Sequence, residues 1–171
     1  MLLGNKARFA IECVHEPLKN ESRRVFGRMA VWVDGACLGD FEEPACMLNE
    51  TGGHLEDLIK RLPTLRDEKL NGLSDFEVFA YLDRVLYLDD DRTNDQVIAD
   101  SRRFFKFDFL TNGGESFDHT KSFIVGSDGY VRVMFRDEKN TFSSGCVAES
   151  EFKAVVQEFL AWIAAEGERA S

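Results

Sequence analysis

Hydrophobic and polar positions first alternate along this chain and then switch to helical spacing. Arg8 to Val14 (RFAIECV) and Gly27 to Val33 (GRMAVWV) are rich in β-branched and aromatic residues, which suit a pleated, half-buried surface. They flank a polar segment holding Pro17, Asn20 and Ser22, and so predict two paired antiparallel strands. In the second, Met29, Val31 and Val33 point one way while Ala30 and Trp32 point the other. Apolar residues on both faces predict a central strand covered on two sides. Asp34-Gly35 supplies a tight turn into a short strand, Ala36 to Leu38.

Further on, Leu55, Leu58, Ile59 and Leu62 recur at helical intervals until Pro63 ends the run. A second helix starts at Ser74, where Ser74 and Glu77 form an S-x-x-E capping box; Phe76, Phe79, Leu82 and Leu86 line its apolar face, and it ends near Asp89. Asn94 to Arg102 predicts a short helix with few apolar positions. Phe105, Phe107 and Phe109 alternate with Lys106 and Asp108, the pattern of a strand with one dry and one wet face. Ser122 to Val125 and Tyr130 to Arg136 bracket Gly126-Ser127-Asp128-Gly129 and predict a hairpin, with Val131, Val133 and Phe135 opposing Arg132 and Arg136. Thr141 to Val147 is the next strand. Ser150 then caps a helix carrying Phe152, Val155, Val156, Phe159, Leu160 and Ile163. Strands, helices, strands and a helix, with no repeat, low-complexity tract or linker, predict one α+β domain over residues 1–171. Its sheet is mainly antiparallel, with the C-terminal helix packed on it.

The 171 residues are of single-domain size, and 44% hydrophobic content with fifteen phenylalanines suits a chain that buries a core. Lys and Arg number 21 against 31 Asp and Glu, a net charge of −10. Long-range repulsion therefore disfavours nucleic acid and anionic membranes as partners and favours basic ones. The four cysteines, Cys13, Cys37, Cys46 and Cys146, form no C-x-x-C pair, and MLLGNKARF has too short an apolar run for export, so reduced thiols in a cytoplasmic protein are expected. No stretch approaches the ~18–20 apolar residues that span a bilayer.

Candidate chemistry adds little to this picture. Cys37, Cys46 and His54 are separated by nine and eight residues, whereas structural zinc takes ligand pairs two to four apart. Asp89-Asp90-Asp91 could offer oxygens to magnesium or calcium, but the calcium loop's glycine and closing glutamate are missing. Gly114-Glu115-Ser116-Phe117-Asp118 approaches the G-x-S-x-G nucleophile elbow without its last glycine and reads as a turn entering a strand. Neither G-x-G-x-x-G nor G-x-x-x-x-G-K-[ST] is present. Trp32 and Trp162 are expected in the core. No cofactor and no metal are expected.

The most distinctive stretch is GDFEEPACMLNETGGHLED, Gly39 to Asp57, with six carboxylates and no lysine or arginine; extending back to Asp34 adds a seventh acid. Solvated helix faces usually mix signs through Glu–Lys pairs, whereas these acids lack a counter-charge in the window. A basic partner would offset their mutual repulsion. Asp40, Glu42, Glu43, Glu50, Glu56 and Asp57 are the candidate partner-binding residues.

The opening third, MLLGNKARFAIE followed by VFGRMAVWVDGACLGD, resembles the immunity protein 42 family of bacterial polymorphic-toxin systems. The matching features are Gly4-Asn5-Lys6 before Phe9-Ala10-Ile11-Glu12, then Phe26-Gly27-Arg28, Trp32, Gly35 and Gly39-Asp40. Past Asp57 the likeness rests on FLTNGGESFD and the final helix. The resemblance implies a non-enzymatic cytoplasmic protein that binds a cognate toxin domain and blocks it. A basic toxin that acts on nucleic acid fits the charge, because such toxins offer positive surface to phosphates. The competing reading is a small metal-dependent hydrolase using Asp89, Asp91 and other acids.

Overall fold

The structure, a computed structural model, describes residues 1–16, 24–111 and 113–169. Pro17, Asn20 and Ser22 of the polar segment, and Asn112 within FLTNGGESFD, lie outside the described residues.

The first sheet contains β1 (Leu2–Asn5), β2 (Phe9–His15), β3 (Phe26–Val33) and β4 (Ala36–Leu38) in that order, all antiparallel, while β5 (Cys46–Met47) pairs with the start of β3. The predicted pair is thus present, in the register Phe9↔Val33 to His15↔Gly27. Asp34 (φ 49°) and Gly35 (φ 79°) both occupy the left-handed region that a two-residue hairpin turn requires. β3 is central, and Met29, Ala30, Val31 and Val33 are all fully buried. Trp32 is only half-buried: its Nε1 donates to Glu12 at 2.9 Å, and the Lys6 ammonium lies 4.0 Å above its ring. Two strands were not anticipated, β1 and β5. Both are short, and β5 is held by pairing rather than by any pattern of its own.

The second sheet is β6 (Lys121–Ser127), β7 (Tyr130–Arg136) and β8 (Phe142–Ala148), again antiparallel. Its hairpin turn is the predicted Asp128-Gly129, with φ of 33° and 84°. Arg132 and Arg136 are only partly exposed here. Arg132 reaches Asp75 at 3.0 Å, and the Arg136 guanidinium lies 5.0 Å from the Phe79 ring, so the strand's polar side is covered by a helix.

That helix is α2 (Asp75–Tyr87), with the Ser74–Glu77 capping box in place and Phe79 edge-on to Phe123 and Phe142. Phe76, expected on its dry face, is 51% exposed, and Val78 and Val85 are buried instead. α1 (Leu48–Arg61) starts well before Leu55 and carries Glu50, Glu56 and Asp57. Gly52 and Gly53 hid that first half, since each disfavours helix by ~1 kcal/mol relative to alanine. Gly52 is buried where α1 meets α4 (Glu149–Arg169), and a Cβ there would lie 2.8 Å from Ile163 Cδ1. The close approach of the two helices overrides the propensity. Ser150 lies inside α4 rather than capping it: β8 runs directly into the helix, and the Glu149 amide donates to the Gly129 carbonyl at 2.8 Å.

The expected strand at Phe105–Phe109 is absent. α3 (Asn94–Phe104), capped by Thr93 and Gln96, continues into a single 3₁₀ turn at Phe105–Phe107, and only Asp108 bridges to Phe123. Phe104 and Phe107, one turn apart, are buried, Phe105 is 49% exposed, and the "wet" Asp108 is buried. Lys106 holds the turn by donating to the Thr64 and Arg66 carbonyls at 2.8 and 3.1 Å. Alternation over five residues was too short to separate strand from 3₁₀ turn.

α1 and α4 lie on the first sheet, with Phe152 of α4 against Phe9 at 4.9 Å between ring centroids; α2 covers the second sheet and α3 covers α2. The sheets meet where β8 crosses β3, and a Cβ at Gly145 would fall 2.6 Å from Val33 Cγ1. One core runs through both, so the chain is an α+β domain with two antiparallel sheets, its C-terminal helix packed on the first.

Candidate functional site: an acidic cleft

Of the six carboxylates singled out in the sequence, Asp40, Glu42 and Glu43 lie on the β4–β5 loop, Glu50 in the first turn of α1, and Glu56 and Asp57 farther along that helix. Asp40, Glu42, Glu50, Glu56 and Asp57 are exposed and Glu43 is half-buried. The expectation that they lack counter-charges holds for only some. Glu42 meets Arg28 at 2.9 Å, and Glu56 and Asp57 meet Lys60 at 3.4 and 3.2 Å. Arg28 and Lys60 lie outside the window in sequence but beside it in space. Two cationic groups against six carboxylates leave the set net negative, and such exposed pairs add only ~0–1 kcal/mol to stability.

Asp40 and Glu43 have different neighbours. The β4–β5 loop is stitched to a 3₁₀ turn at Glu115–Phe117 by the Asp40 amide, which donates to the Ser116 carbonyl at 2.7 Å, and by Glu115, which accepts from the Met47 amide at 2.9 Å. Gly39 (φ 97°) makes this approach feasible, since a Cβ there would lie 2.7 Å from the Phe117 ring. Beneath the turn, the buried Thr51 hydroxyl donates to the Gly113 carbonyl at 2.5 Å. The β6–β7 register pairs Lys121 with Arg136, so the residues just before β6 and just after β7 emerge side by side.

These three segments enclose a cleft of about 390 Å³, lined by Asp40, Glu43, Glu115, Asp118, Asp137 and Glu138 together with Cys37, Ser116, His119 and Lys139. A smaller cleft of about 250 Å³ shares His119, Asp137 and Glu138 and extends to Asp83 and Lys121, which pair with each other.

Four of the six cleft carboxylates are held by backbone amides. Asp40 accepts from Glu42, Glu43 from Ala45, Glu115 from Met47 and Asp137 from Thr141, at 2.7 to 3.0 Å, each through one oxygen. Their second oxygens, and both oxygens of Asp118 and Glu138, have no partner among the described residues. The site is therefore an array of negatively charged acceptors, four of them anchored through one oxygen, suited to a cation. Nucleophilic chemistry is disfavoured: burial pushes the Cys37 thiol up, and Ser116 has no base within hydrogen-bond reach among the described residues.

Other polar sites are satisfied or closed. A concavity of about 900 Å³ beside the start of α2 has most of its charges paired, Asp67 with Arg103 at 2.7 Å, Asp128 with Arg66 at 3.1 Å and Arg132 with Asp75, while Glu77 is taken up by the Ser74 capping box. Asp108 is 2% exposed, beyond the reach of a substrate. Burial pushes its carboxyl up and pulls the nearby His54 imidazole down. Cys37, Cys46 and His54 do not converge: Cys46 contacts Thr51, and His54 donates to the Phe109 carbonyl. Asp90 is taken by Arg92 at 2.6 Å, and among the described residues no three His, Cys, Asp or Glu side chains are grouped to hold a metal ion. Among the same residues no helix is long and apolar enough to cross a membrane.

Fold and site together define an α+β domain with a cleft lined largely by carboxylates. Residues 1–162 match the family described as Immunity protein 42, and the chain belongs to that family. The membership makes it a toxin-neutralising immunity protein, with a cognate toxin as partner. The fold is similar to the crystal structure of CdiI from Burkholderia dolosa AUO158, with a TM-score of 0.70 at 19% identity over 94% of this chain and 99% of that one. No curated protein matches the sequence significantly.

The sequence marks none of Glu115, Asp118, Asp137 and Glu138 as a partner-binding acid; Glu115 and Asp118 stand out only within the elbow-like stretch Gly114–Asp118. Each is an acid in a turn, indistinguishable by itself from a solvated charge. The available signal was the hairpin register, which places residues 118–120 beside residues 137–138.

Proposed function

We propose that the chain neutralises its toxin from the cytoplasmic side by covering a basic surface, using the face that carries Asp40, Glu42, Glu43, Glu50, Glu56 and Asp57 joined by the cleft acids. The observation that carries this reading is the cleft itself, where carboxylates from three separated segments converge with only Lys139 and His119 as counter-groups in the lining. A toxin that handles nucleic acid presents such a basic surface to phosphates. Held carboxylates accelerate encounter by steering, and their fixed orientation lowers the cost of docking. Inhibition on this reading is occlusion and uses no catalytic step.

The test is stopped-flow association with the product of the adjacent reading frame, for wild type and for the variant D40N/E43Q/E115Q/D118N, across ionic strength. The wild-type on-rate should fall steeply with salt, and the variant should associate at least ~10-fold more slowly with a shallower salt slope. Equal on-rates and slopes would refute the acidic-face docking.

A further inference from the structure

The cleft carries more than charge. Ser116 forms part of its lining, is 2% exposed, and its hydroxyl has no hydrogen-bond partner among the described residues. Buried hydroxyls are nearly always paired in native proteins, and one left unpaired beside a cleft marks a place where an incoming group completes the site. Glu115, Asp118 and Glu138 line the same cleft, as do Asp40 and Glu43 of the β4–β5 loop. We propose that this cleft is a receptor for one guanidinium group, an arginine side chain of the toxin inserted between the β4–β5 loop and the Glu115–Phe117 turn. The identity of the partner rests on the proposed neutralising function; the ligand chemistry rests on the cleft alone.

Three features select guanidinium over other cations. The acceptors are distributed around the walls, which suits a planar group with five donors in a fork better than a compact ammonium with three. Guanidinium is also more weakly hydrated, so it gives up less on entering a partly enclosed site. At about 390 Å³ the cleft is at the small end of ligand pockets, which run ~300–1,000 Å³. It admits a side chain but not a helix, whose diameter is ~10–12 Å. A metal ion is a poorer fit, because no three of the carboxylates are grouped tightly enough to hold one among the described residues.

The test needs no toxin. Isotope-labelled protein is titrated with N-acetyl-arginine amide, with N-acetyl-lysine amide and with the neutral isostere N-acetyl-citrulline amide, and backbone amide shifts are followed by NMR. The arginine probe should give saturable shifts confined to Gly39, Asp40, Ser116 to Thr120 and Asp137 to Lys139. The lysine probe should bind at least ~5-fold more weakly and citrulline should give no saturable shift. The E115Q/D118N variant keeps an acceptor for the Met47 amide and should retain the wild-type spectrum elsewhere while losing at least ~10-fold in affinity for the arginine probe. Non-saturating shifts spread over the acidic surface, equal responses to lysine and arginine, or saturation at another location would overturn the proposal. A protein that blocks its toxin yet takes no guanidinium here loses only this inference. One that takes guanidinium but binds no toxin loses only the functional reading.

Discussion

Thr51 connects the fold to the cleft, and replacing it with valine tests whether that connection is a hydrogen bond or mere packing. The side chain is fully buried on α1, and its hydroxyl donates to the Gly113 carbonyl at 2.5 Å, just before the turn that carries Glu115, Ser116 and Asp118. A Cβ at Gly114 would lie 2.8 Å from this hydroxyl, so the backbone passes directly over it. Valine keeps the shape and removes the donor, stranding a buried carbonyl at a cost of about 1–3 kcal/mol. For a domain of this size each kcal/mol lowers Tm by ~2–4 °C, so thermal unfolding should show a drop of several degrees. Thr51→Ser is the control: it keeps the donor and loses one buried methyl, worth ~0.8 kcal/mol. Valine should therefore be the more harmful of the two. Native-state hydrogen exchange locates the damage. The amides of Phe117 and Thr120, which donate to the Gly114 and Phe117 carbonyls, should exchange roughly 5- to 150-fold faster in the valine variant if the turn opens locally. An unchanged Tm with unchanged exchange, or a serine variant worse than valine, would refute the reasoning.

Two further outcomes follow from the same structure. Ser74→Ala removes the α2 capping box, in which the Glu77 amide bonds the Ser74 hydroxyl and the Glu77 carboxylate bonds the Ser74 amide. The expected loss is ~1 kcal/mol in urea unfolding, with the m-value unchanged, and no loss would show that the packing of α2 alone sets its start. His54→Gln probes pH dependence: burial holds the imidazole below its ordinary value, so the unfolded chain binds that proton more readily. His54 therefore contributes stability that is complete above the unfolded value near ~6.5 and is lost as pH falls toward the lower native value. Asp108, pushed up by burial, acts with the opposite sign, because the native state holds its proton more readily and gains stability as pH falls through the native value toward ~3.9. Stability measured from pH 7 to 5 should therefore decline less in the glutamine variant, and an identical slope would exclude the imidazole as its source.

The local rules written in the sequence were enough for most elements. The alternation in β2, β3, β6, β7 and β8, the Asp-Gly turns and the capping box at Ser74 each specify backbone geometry within a few residues. Where they failed, a long-range contact decided. Gly52 sits in α1 because α4 needs the space, and Phe105–Phe107 forms a 3₁₀ turn because Lys106 binds the Thr64 and Arg66 carbonyls.

Net charge, the one-signed stretch from Asp34 to Asp57 and the α+β order of elements are properties of the chain read in one dimension, and they were settled there: an acidic chain of mixed α and β elements. Which acids stand together was a matter for the tertiary structure alone. Electrostatic potential depends on distance in space, and the hairpin register with the Asp40–Ser116 backbone bond brings Glu115, Asp118, Asp137 and Glu138 to Asp40 and Glu43, while Arg28 and Lys60 are carried to Glu42, Glu56 and Asp57.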